Sequence, residues 1–154
     1  MTHYILQTCI GWTNSHLHEF VLSGKRYSPH DPDFSDEFEQ LDEQRVVLCD
    51  AMGQESRRFD YIYDFGDNWQ HVVIIEDPYA GDSEQGLRIR RIGEENACPP
   101  EDVGGSGGYA DFLAAIADLS HEEHSRYLGW VGGSFDPVRF DITAVSLLLD
   151  GIKI

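Results

Sequence analysis

The segment from Phe59 to Val73 constrains the fold more than any other part of the chain. Large side chains recur at alternate positions, Phe59, Tyr61 and Tyr63 and then Trp69, His71 and Val73, on either side of Asp64-Phe65-Gly66-Asp67-Asn68. Successive strand residues point to opposite faces, and Asp, Gly and Asn are turn formers, so the segment predicts a β-hairpin with a five-residue connection. Counting outward from that connection pairs Tyr63 with Trp69, Tyr61 with His71 and Phe59 with Val73, all on the core face. Gly66 is the residue expected to supply a positive φ angle, with Asp64, Asp67 and Asn68 bonding nearby amides.

Elsewhere the pattern is shorter in range. Residues 4 to 11 read as the end of a helix with Ile5 and Cys9 on one stripe, Leu6 and Ile10 beside them, and Gly11 as its stop. His16 to Leu22 reads as a strand, followed by the turn Ser23-Gly24-Lys25 and a second extended piece at Arg26-Tyr27. Ser28 to Gln44 is crowded with acids and reads as a loop. Its Asp31, Asp33, Asp36, Glu37 and Glu39 lack the order of a calcium-binding EF-hand loop. Arg45 to Met52 is ambiguous between strand and helix, and Leu87 to Ile92 reads as a further strand. Tyr109 to Leu119 carries a helical stripe of Phe112, Leu113, Ile116 and Leu119. Ser120 and Glu123 have capping-box spacing, and Asp141 caps a last helix whose expected buried face is Ile142, Val145, Leu148 and Leu149. Strands first and helices later give an α+β expectation: a mainly antiparallel sheet around the hairpin, with helices on one side.

At 154 residues, 41% of them hydrophobic, the chain is expected to form one domain, residues 1–154. Its 28 Asp and Glu against 11 Lys and Arg give a formal charge of -17, which repels phosphates and anionic lipid and disfavours direct nucleic acid binding. The basic run Arg88-Ile89-Arg90-Arg91 is short and reads as a solvated strand face. Cys9, Cys49 and Cys98 form no Cys-x-x-Cys pair, which argues against a disulfide framework and a zinc ribbon and fits a reducing cytoplasm. No apolar run approaches the ~18 residues of a membrane span, and no export signal is visible.

Chemistry-bearing residues concentrate in two places. In the hairpin, His71 sits among Tyr61, Tyr63 and Trp69, with Asp64 and Asp67 near the turn, and is read either as a ligand or general base or as a core imidazole bonded to a neighbour. His16 and His18 alternate on a strand and so point to one face, the arrangement two imidazoles need to share a metal. If that strand neighbours the hairpin, His16 joins His71, and Cys98 adds a thiolate to the candidate metal set. Zn suits a mixed His and Cys set, whereas Mg or Mn suits the acids. The second place is Cys98-Pro99-Pro100-Glu101-Asp102, which runs into Gly104-Gly105-Ser106-Gly107-Gly108. Those glycines precede a helix, a geometry that can hold phosphate, but no Lys follows and Glu101, Asp102 and Asp111 surround them, so the run reads as a connector. Trp130, Phe135 and Phe140 read as a C-terminal core cluster. No Walker, Gly-x-Ser-x-Gly or His-Glu-x-x-His motif is present.

His16-Leu17-His18-Glu19-Phe20, the segment Tyr61 to His71, Cys98 to Tyr109, and Phe135-Asp136-Pro137 through Phe140-Asp141 occur in the order seen in the plasmid pRiA4b ORF-3-like family, which this chain resembles over nearly its whole length. The family is also labelled an insertion-element passenger protein of TnpR type. The resemblance implies an α+β domain associated with mobile elements. A recombinase activity does not follow from it, because such chemistry needs a serine among arginines holding a phosphate. The chain reads as N-terminally shortened relative to the family, which would leave a sheet edge and apolar surface for a homodimer to cover. The expected function is a non-enzymatic binding or interaction module with Asp64, Asp67, Trp69, His71, Glu101 and Asp102 as its candidate functional residues. The alternative is a metal-dependent hydrolase-like protein drawing on His16, His71, Cys98 and the same acids.

Overall fold

The computed structural model describes residues 1–30, 40–53, 57–76 and 96–152. In chain order the elements are α1 (Thr2–Ile10), β1 (His18–Leu22), β2 (Lys25–Ser28), β3 (Gln40–Asp42), a 3-10 turn (Glu43–Arg45), α2 (Leu48–Met52), β4 (Arg58–Tyr63), β5 (Trp69–Ile74), α3 (Gly105–Ala117), α4 (His124–Trp130) and α5 (Ile142–Asp150). The chain divides into two compact units, His16–Asp82 and the pair of segments Met1–Ser15 and Ser83–Ile154. The expected strand at Leu87 to Ile92, the basic run beside it and the acids from Asp31 to Glu39 lie outside the described residues. Among the described residues no helix is long and apolar enough to cross a membrane.

The unit His16–Asp82 is a sheet of strand order β3-β2-β1-β4-β5. The hairpin forms with the register read from alternation: Phe59 opposite Val73, Tyr61 opposite His71 and Tyr63 opposite Trp69. Phe20, Leu22, Tyr27, Phe59, Tyr61, Tyr63 and Met52 are its buried apolar residues. Aromatic rings meet across β1 and β4, with Phe20 5.2 Å from Tyr61 in a tilted pair and 5.9 Å from Phe59 edge-on between ring centroids, a spacing that adds specific contacts to simple burial.

The sheet corrects the mainly antiparallel expectation. β3 runs parallel to β2, with Arg26 opposite Gln40 and Ser28 opposite Asp42, so the sheet is mixed. Parallel neighbours need a crossover instead of a tight hairpin, and a three-residue strand with exposed Gln40 and Leu41 carries too little alternation to stand out from an acidic stretch. Within that same stretch Asp42 caps the 3-10 turn by accepting from the Gln44 amide. The ambiguous Arg45 to Met52 segment resolves as α2.

In the other unit α1 packs against α5, and α3 against α4. Buried apolar residues here are Trp12, Val103, Phe112, Ala115, Val145 and Leu149. Gly11 ends α1 in the left-handed region at φ 108°, and Asp141 caps α5 through the Ala144 amide, both as expected. Six expectations change. The glycine run is no loop, since Gly105 to Gly108 form the first turn of α3. A Cβ on Gly108 would lie 2.0 Å from the Val103 carbonyl oxygen, so glycine is required there for close backbone approach. Leu119 falls beyond α3 and is exposed. Ser120 does not cap α4, because Asp118 holds it in a preceding turn and Glu123 occupies the cap position. Trp130 touches Phe112 edge-on but stays largely exposed, and Ile142 and Leu148 lie outside the buried face of α5. Finally, α1 buries His3 and Gln7 instead of the Ile5 and Cys9 stripe. The cause is hydrogen bonding. The Asn14 amide donates to Gln7 Oε1 at 2.8 Å, and His3 Nε2 donates to Asn14 Oδ1, so the polar stripe turns inward to hold the next loop.

Candidate functional site

Asp64 organises the hairpin end. Its own backbone takes φ 55°, uncommon for a residue with a Cβ but tolerated by Asp and Asn. Asn68 adopts a similar φ of 54°, whereas Gly66 does not, so the positive angles fall at the two ends of the connection and not at its glycine. Asp64 Oδ1 accepts from the amides of Gly66, at 2.9 Å, and Asp67, at 3.3 Å, closing the turn with a side chain. The Asp64 amide donates to the Leu17 carbonyl at 2.9 Å, tying the turn to the segment before β1.

His16 joins this group and His18 leaves it. His16 Nε2 lies 3.7 Å from Asp64 Oδ2, and the His16 amide donates to the Tyr63 hydroxyl at 3.3 Å. His18 is the first residue of β1 and buried; its Nε2 pairs with Glu43 Oε2 at 2.9 Å while its ring packs on Phe20 and Tyr61. The two histidines therefore serve different carboxylates and do not share one ligand position, which corrects the paired-histidine reading.

His71 faces Tyr61 across the strand pair, with ring centroids 5.6 Å apart. His71 Nδ1 lies 3.3 Å from the Tyr61 carbonyl oxygen. That oxygen can only accept, so Nδ1 carries the proton and Nε2 keeps the lone pair of the neutral ring. Burial lowers the His71 pKa from its ordinary value, more than its backbone hydrogen bonds raise it. A neutral imidazole of this kind is suited to act as ligand or base. Among the described residues, however, no group of three convergent His, Cys, Asp or Glu ligand atoms includes His71 or Cys98. Asp67 and Trp69 are half-buried at the far side of the turn and the start of β5.

Cys98, Glu101 and Asp102 belong to the other unit. Glu101 Oε1 accepts from both the amide and the hydroxyl of Thr13. Cys98 packs against Gly11, where an added Cβ would come within 3.0 Å of the Cys98 Cβ. Burial, followed by the Glu101 charge, pushes the Cys98 thiol up to about 12, which keeps it protonated and a poor nucleophile or ligand. Asp102 is exposed at φ 59°, in the turn that leads to Val103 and α3. Thr13 and Glu43 were missed as participants, and no local signal marks them, since each is recruited from a distant segment.

A model of the plasmid pRiA4b ORF-3-like protein family matches residues 1–144. The chain is similar to the uncharacterized protein y4hQ of Sinorhizobium fredii, with 36% identity over 97% of this chain and 76% of that protein. It is also similar to the crystal structure of MM3350 from Methanosarcina mazei Go1, a protein of unknown function. There the TM-score is 0.79 and the identity 32%, covering 94% of this chain and 81% of that one.

Proposed function

The chain belongs to the plasmid pRiA4b ORF-3-like family, and from its geometry we propose that it is a non-enzymatic interaction module whose signature residues build the fold. The observation that carries this reading is the use made of the two signature carboxylates. Asp64 holds the hairpin turn through the Gly66 and Asp67 amides, and Glu101 holds the loop after α1 through Thr13. A carboxylate oxygen that accepts from backbone amides is committed to holding the chain in place. The protonated Cys98 thiol adds no nucleophile.

A second reading rests on one contact. Asp64 Oδ2 faces His16 Nε2, a pair of donors that a metal-dependent hydrolase could use for Zn, Mg or Mn. Asp64→Asn separates the two, because the amide keeps an acceptor for the turn but weakens cation binding. Under the module reading, the protein as purified and after incubation with Zn, Mg or Mn shows no turnover of generic phosphoesters, and the only change in Asp64→Asn is a small fall in Tm. Stoichiometric metal with metal-dependent turnover, both lost in Asp64→Asn at unchanged Tm, would overturn it.

A further inference from the structure

We draw no further inference here: the strongest candidate, the outer edge of the sheet at β5 with its exposed Val72 and Ile74, carries nothing because nothing among the described residues shows what covers it.

Discussion

Glu101 Oε1 accepts the amide proton of Thr13 at 2.8 Å and its hydroxyl proton at 2.7 Å, joining residues 88 positions apart. One carboxylate oxygen thereby anchors the segment that follows Gly11 to the turn that precedes α3. Hydrogen bonds to a charged acceptor contribute about 1.5–3 kcal/mol when shielded and less where water competes. Glu101→Ala is therefore expected to lower stability by about 1–2 kcal/mol, and Glu101→Gln by less, because the amide oxygen still accepts. Urea unfolding of these variants, each with and without Thr13→Ala, checks this through a coupling energy of favourable sign; additive losses would disprove the contact.

Gly107 and Gly108 are adjacent in the first turn of α3 but differ in what surrounds them. A Cβ at Gly107 meets nothing within 4 Å, whereas one at Gly108 collides with the Val103 carbonyl. Gly107→Ala should stabilise the protein by up to about 1 kcal/mol through helix propensity. Gly108→Ala should destabilise it by about 2–3 kcal/mol or more through forced backbone displacement. Thermal unfolding of the pair reads both signs in one experiment.

His71 has a pKa lowered by burial from its ordinary value of 6.5. A group whose folded-state pKa is depressed binds fewer protons folded than unfolded. Its contribution to stability is therefore fully present above 6.5 and is lost as pH falls towards the folded-state value. Unfolding free energies measured from about pH 7.5 down to about pH 5 should fall more steeply for wild type than for His71→Gln, which cannot titrate there. Parallel profiles would show that His71 contributes nothing to the acid limb.

Cys98 has a thiol held up to about 12, while Cys49 is exposed on α2. Since the thiolate is the reacting species, iodoacetamide at mildly alkaline pH should modify Cys49 at least roughly a hundredfold faster than Cys98. Peptide mapping over a labelling time course gives the two rates. Comparable rates would mean that the Cys98 environment opens on the labelling timescale.

Much of the hairpin was legible because its determinants are close in sequence. Alternation sets which side chains share a face, and the turn chemistry between Asp64 and Asn68 sets the register, so Tyr61 opposite His71 follows from counting. Gly11 and Asp141 were legible for the same reason, as caps act within one helical turn. The positive φ angles at Asp64 and Asn68 were not, since glycine is only the easiest residue to place there and Asp or Asn suffices when its side chain closes the turn.

The candidate site was legible as residue types but not as contacts. The sequence by itself determined an α+β chain, a hairpin with a defined pairing, and the two dense signatures, because each depends on spacings of a few residues. Only the tertiary structure decided that Glu101 reaches Thr13, that His16 and His18 take different carboxylates, and that β3 pairs parallel to β2. It also turned His3 and Gln7 inward and Tyr4 outward, against the apolar pattern of α1. The reason is physical: hydrogen bonds between distant segments must be satisfied where backbone amides are withdrawn from water, and that demand overrides the periodicity of any single helix.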